Sequence, residues 1–198
     1  MEKFFTDVYE NNNWGESKIG KDFNGSSGGG SLLEDNWPYI NLIRDFIQQN
    51  KINSVVDLGC GDWQFSNEIY RELNVDYTGY DCYKKMIESH KKNHVQYNFE
   101  HLDIYEERTR LKTADLYIIK DVLQHWLNEE IITFFDWIIV NKKCRYLIIN
   151  NSCAQKYDNQ ETPSRSRPLS GKFLPLKKYD PEIVLKYIDK EVSVIKIY

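Results

Sequence analysis

The run Ile52-Asn-Ser-Val-Val-Asp-Leu58 stops at Gly59-Cys-Gly61, and that junction limits the folds open to this chain more than any other feature. A short β-branched, apolar run reads as a buried strand, and two glycines one residue apart let the backbone turn tightly and approach a ligand closely. The same alternation continues on both sides. Residues 37–50 have helical spacing, with Pro38 in the first turn and Ile40, Ile43, Phe46 and Ile47 on one face. After the glycines, residues 62–73 read as a helix, 75–80 as a strand ending at Asp81, 84–92 as a helix and 94–99 as a strand. Residues 115–120 form a further strand that stops at Asp121. Asn128 opens a helix carrying Ile131, Ile132, Phe135 and Ile139, and 145–149 is a fifth strand. A helix over 181–189 and an alternating strand over 192–198 close the chain. Strand and helix in turn predict an α/β fold: a mostly parallel, doubly wound sheet with an antiparallel C-terminal strand.

The 198 residues suffice for one domain and not for two. No apolar run approaches the ~18 residues of a membrane helix, and the opening residues lack the basic flank and apolar block of a secretory signal. The four cysteines are far apart, without a C-x-x-C, so free thiols in a cytoplasmic protein are expected rather than a zinc site or a disulfide framework. A net charge of -4 provides no basic field to collect DNA or RNA. Six of the ten glycines lie between Gly15 and Gly30, which marks residues 1–31 as irregular backbone. Phe4, Phe5, Tyr9, Trp14 and Phe23 are aromatics that a solvated tail seldom carries, so residues 1–36 are expected to form an arm or lid on a domain of 37–198. Residues 150–180, polar and proline-containing, read as a substrate-side loop.

In an open parallel sheet the ligand sits at the carboxyl ends of the strands. Here those positions are Asp57 to Asp62, Asp81, Asp103, Asp121 and Asn150-Asn151. Asp81, about 20 residues past the glycine turn, is where a ribose diol would be clamped. A dinucleotide fingerprint would need a third glycine where Gln64 stands.

This arrangement resembles the class I S-adenosylmethionine-dependent methyltransferase family, in which an acidic residue precedes G-x-G, as in Val55-Val-Asp-Leu-Gly-Cys-Gly61. Tyr80-Asp81, His101-Leu-Asp103-Ile104 and Leu116-Tyr-Ile-Ile-Lys-Asp121 follow in the family's order, over about residues 53–150. A narrower likeness is to small members with G-C-G-D-W-Q-F-S, K-D-V-L-Q-H and an arginine-proline-leucine element, here 59–66, 120–125 and 167–169. The resemblance implies the Rossmann-like class I methyltransferase fold and S-adenosyl-L-methionine as cofactor. By the same likeness Asp57, Gly59, Cys60, Gly61, Asp81, Cys82, Asp103, Ile104 and Lys120 hold it, with Asp81 at the ribose and Asp103-Ile104 beside the adenine.

Methyl transfer needs alignment and, for an oxygen acceptor, a base. His125 and Asp121 are the candidates, four residues apart and able to share a helical face. Asp121 with Asn150 and Asn151 is a poor charge match for a divalent ion, so a metal-free site is expected. The N-P-P-[YF] signature of nitrogen methylation is absent, with Lys120-Asp-Val-Leu in its place. A small-molecule acceptor is therefore expected, a sugar, a nucleotide-sugar or an anionic compound. Trp14 and Trp63 would line its pocket, and Arg165 and Arg167 would bind a phosphate or carboxylate. An RNA or protein acceptor, or a fold relative that binds without turnover, are the competing readings.

Overall fold

The computed structural model describes residues 2–17, 22–153 and 167–198. Seven strands form one sheet: β1 (Ser54–Leu58), β2 (Asp76–Asp81), β3 (Asn98–His101), β4 (Ala114–Lys120), β5 (Cys144–Ser152), β6 (Glu182–Tyr187) and β7 (Lys190–Lys196). Their order is β3-β2-β1-β4-β5-β7-β6. The first five are parallel, and β7 is inserted antiparallel between β5 and β6. The helices are α1 (Glu2–Glu10), α2 (Trp37–Gln49), α3 (Ser66–Tyr70), α4 (Lys84–Asn93) and α5 (Asn128–Val140).

Period-two alternation along the central strands builds two cores. On β4, Leu116 and Ile118 face a core completed by Ile40, Ile43 and Ile47 of α2, while Tyr117 and Ile119 face one filled by Ile131, Phe134, Phe135 and Ile138 of α5. Both faces are covered, so the middles of β1, β4 and β5 are apolar, and Asp57, Asp81, Lys120 and Asp121 stand at or next to the carboxyl ends of β1, β2 and β4.

Three expectations fail. Residues 181–189 are not a helix but β6 and its turn: a bulge between Ile183 and Leu185 breaks the alternation that marks a strand, and Pro181 mimics a helix start. The helix predicted over 62–73 shrinks to α3, because Trp63 takes a left-handed backbone (φ 59°) and Asp62 is tied to the arm. The arm is not irregular throughout, since α1 opens it. Tyr9 and Phe23 pack with Tyr83 and Met86 in a small third core against α4.

Candidate active site

Gly59 and Gly61 both have left-handed backbones (φ 79° and 57°). A Cβ on Gly59 would stand 2.4 Å from Val122 Cγ2, and one on Gly61 would stand 2.6 Å from Ser27 Oγ. Glycine is required at both for conformation and for space. The turn is fixed by Gly59 and Cys60, whose N–H groups donate to the Tyr80 carbonyl at 2.8 and 3.0 Å.

Three carboxylates stand around this turn. Asp57 is buried, accepts from the Tyr77 hydroxyl at 2.9 Å, and is pushed up to about 7 by burial, which the Tyr77 bond and Lys120 only partly oppose. Asp81 accepts from Tyr83 N at 3.0 Å and Gly61 N at 3.1 Å; burial still raises it. Asp103 caps the following turn through Tyr105 N and Glu106 N and accepts from Glu2 N at 3.3 Å. Cys60, Cys82 and Ile104 complete a cleft with these acids, and Phe5, Tyr9, Trp14 and Ser27 of the arm form its roof.

The roof is latched at Ser27. Its Oγ accepts from Asp62 N at 2.8 Å while its N–H donates to Asp62 Oδ2 at 3.0 Å, and Tyr9 Oη lies 2.7 Å from the same Oγ.

Asp121, in a left-handed conformation (φ 58°), is held by two ammonium groups, Lys120 at 2.7 Å and Lys190 at 2.6 Å. Burial alone would raise its pKa; the two lysines outweigh this and hold the carboxyl below its ordinary value. Lys120 also donates to the Gly30 carbonyl at 2.7 Å. The glycine stretch thus packs directly on this ion triad, and a Cβ on Gly30 would lie 3.0 Å from Asp121 Oδ2. Lys190→Met should lower stability by about 2–4 kcal/mol in urea unfolding at pH 7, since one of two cations on a buried carboxylate is lost. Lys190→Arg should recover part of it, and equal stability of the Lys190→Met protein and the wild type would show that the pair contributes nothing.

His125 is 4% exposed and sits in a 3-10 turn rather than an α-helix. It therefore does not share a helical face with Asp121, and its Nδ1 is buried without a hydrogen-bond partner. Its ring stacks on Trp14 (5.4 Å) and meets Phe5 edge-on (5.4 Å). Burial lowers its pKa to about 4 against a smaller opposing effect of Asp121, so the imidazole is neutral near pH 7.

The tryptophans and arginines divide. Trp14 lines the cleft. Trp63 touches its edge but is a core residue, with Nε1 donating to Tyr77 Oη at 2.9 Å and thereby supporting the bond to Asp57. Arg167 is buried and donates through Nη2 to the Trp126 carbonyl at 2.7 Å, holding the turn behind His125. Arg165 lies outside the described residues. Among the described residues no group of three or more His, Cys, Asp and Glu side chains is placed to hold a metal ion. Asn150, which stands at the end of β5, donates instead to the Tyr187 hydroxyl at 2.8 Å.

Tyr9, Ser27, Gly30 and Lys190 are site residues that sequence reasoning did not single out. Only the glycine density and the arm's aromatics hinted at the first three; nothing local marks Lys190.

Residues 55–139 match the family profile described as "Methyltransferase domain". With the fold and the acid-rimmed glycine turn, the match makes these residues similar to methyltransferase domains. Solved structures with the same fold include human N-acetylserotonin methyltransferase in complex with SAM (15% identity, TM-score 0.57, 80% of this chain and 54% of that one). Others are the methyltransferase domain of bacterial CtHen1-CN (14%, TM-score 0.63, 81% and 98%) and magnesium protoporphyrin IX methyltransferase from Synechocystis with bound SAH (13%, TM-score 0.57, 79% and 81%). The chain spans about half the length of the human enzyme. Comparison with curated proteins by sequence gave no match. Among the described residues no helix is long and apolar enough to cross a membrane.

Proposed function

We propose that this chain is an S-adenosylmethionine-dependent methyltransferase that acts on an oxygen atom of a small molecule, of the sugar, nucleotide-sugar or glycan-precursor class, with His125 receiving the proton. The setting of His125 carries the reading. An imidazole whose Nδ1 has no partner stands in an enclosed aromatic wall beside the cofactor cleft; burial weakens it as a base, and the nearby Asp121 carboxylate opposes that effect.

The cleft suits the cofactor chemically. Buried Asp57, raised by burial that Tyr77 and Lys120 only partly oppose, is an acid that a neighbouring cation would relieve, and the glycines of the 59–61 turn keep side chains out of its backbone. When bound, the cofactor supplies a methyl group already activated on a sulfonium. The chain's own part is to bind and align: Asp81 to accept from a ribose diol, Asp103 and Ile104 to flank the adenine, Lys120 to keep Asp121 ionised. The arm roof, rather than an open basic groove, favours a small acceptor over RNA or protein.

Tritiated methyl transfer from labelled S-adenosylmethionine into a host extract tests this, with low-mass, RNA and protein fractions counted separately. Label is expected in the low-mass fraction, and His125→Ala should reduce its rate by about 100-fold or more. Label confined to RNA or protein would overturn the acceptor class. An undiminished rate in the His125→Ala protein would remove the base.

A further inference from the structure

A second cavity, of about 620 Å³, adjoins the cofactor cleft. The glycine stretch 28–30 with Asp35 forms one wall, Gln124 and His125 another, and the β6–β7 turn with Asp189 and Lys190 a third. Trp14, Ser27 and Asp121 line both cavities, so the two meet at a shared boundary. Building on the proposed function and narrowing its acceptor class to exclude nucleotide-sugars, we infer that this chamber is the acceptor site and that it takes a hydroxyl-rich molecule without an anionic group, a neutral or amino sugar.

The chamber's polar groups point to that class. Among the described lining residues there are three carboxylates, Asp35, Asp121 and Asp189, and one ammonium, Lys190. That ammonium is already committed to Asp121 at 2.6 Å and to Ser152 Oγ at 3.2 Å. Two other donors are committed too: the Tyr187 hydroxyl donates to Asn36 Oδ1 at 3.2 Å, and Asn36 Nδ2 to the Gly30 carbonyl at 3.0 Å. Two buried atoms of the wall lack partners, Gln124 Oε1, an acceptor, and His125 Nδ1, an acceptor when the ring proton is on Nε2, in residues 8% and 4% exposed. Asp35 and Asp189 are exposed at the rim, with no ion-pair partner among the described residues.

A ligand that completes this set must bring O–H or N–H donors, which hydroxyls and an ammonium do and a phosphate or carboxylate does not. An anion would also face carboxylates of its own sign. Trp14, half-buried between the cavities, offers the apolar ring face that the carbon side of a sugar packs against. Arg167 does not line this chamber, and the charge the chamber presents to an acceptor is set by Asp35 and Asp189.

The test is calorimetry on the full chain, with and without saturating S-adenosylhomocysteine, using methyl α-D-glucoside, glucosamine, glucuronate and glucose 6-phosphate as probes. The first two are expected to bind, and the two anionic probes to bind at least about tenfold more weakly at low salt. In the Asp35→Asn/Asp189→Asn protein, the affinity for glucose 6-phosphate relative to methyl glucoside should rise about fivefold or more. Tighter binding of either anionic probe, or no binding of the neutral and amino sugars to either form, would overturn the chamber's assignment. Failure of S-adenosylhomocysteine itself to bind would instead count against the cofactor reading on which the assignment rests.

Discussion

Asp57→Asn should stabilise the fold above neutral pH while weakening cofactor binding. Asp57 is held protonated in the native state up to about 7, whereas the unfolded chain loses that proton near the ordinary carboxyl value. The unfolded state therefore binds fewer protons between about pH 4 and pH 7, and stability falls as pH rises through that window. Above it the native acid is ionised as well and the deficit stays constant. Its upper limit is on the order of 4 kcal/mol, lessened by whatever water reaches the cleft. Urea unfolding of wild type and Asp57→Asn at pH 5 and pH 8 isolates this group, because Asp115, Asp121 and Asp136, whose pKa values are lowered and whose contributions run the opposite way, are common to both. The variant is expected to gain about 2–3 kcal/mol more at pH 8 than at pH 5. An equal effect at both pH values would show that Asp57 ionises normally. Tyr77 can still donate to the Asn oxygen, so the variant keeps its buried bond and loses only the charge. A buried acid retained at such a cost is what a cationic ligand would justify.

Removing residues 1–31 is the second large effect. The arm contributes Tyr9 and Phe23 to the core around Tyr83 and Met86, and its loss exposes that core. Truncating one buried aromatic side chain typically costs about 3–5 kcal/mol, so the shortened protein should melt several degrees lower. Its affinity for S-adenosylhomocysteine should fall by about tenfold or more, because Phe5, Tyr9, Trp14 and Ser27 roof the cleft. Tyr9→Phe separates the two losses: it keeps the ring in the core and removes only the hydroxyl beside Ser27. Unchanged melting and affinity in the shortened protein would identify the arm as a solvated tail.

The parts of the molecule legible in the sequence are those with local signals. The strand into Gly59-Cys-Gly61 and the acids ending β2 and β4 needed only a buried run and the residue after it, and the resemblance to methyltransferases rested on those same positions. The parts that were not legible depend on contacts between distant residues. Ser27 meets Asp62 across 35 positions, and Lys190 meets Asp121 across 69. Only the closed sheet, with β7 laid antiparallel beside β5, brings the Lys190 ammonium to the end of β4. Helix α1 buries only Val8 and Tyr9, too little periodicity to announce it. Asp121 and His125 were read as one helical face because their spacing suits a helix; the left-handed Asp121 turns its carboxylate to the lysines and leaves His125 with Trp14 and Phe5. The glycine surplus acquires two separate causes, the turn at 59–61 and the close approach of Gly30 to the ion triad.

The central claim is that the acid-rimmed turn binds S-adenosylmethionine, and the most direct measurement is calorimetric titration of wild type and Asp81→Ala with S-adenosylhomocysteine at pH 7.5. Saturable one-to-one binding to the wild type, weakened by about 30-fold or more in Asp81→Ala, is the predicted result, the loss of a charged hydrogen-bond acceptor being worth about 2 kcal/mol or more. No binding to a folded wild-type protein, or equal binding to both, would contradict it.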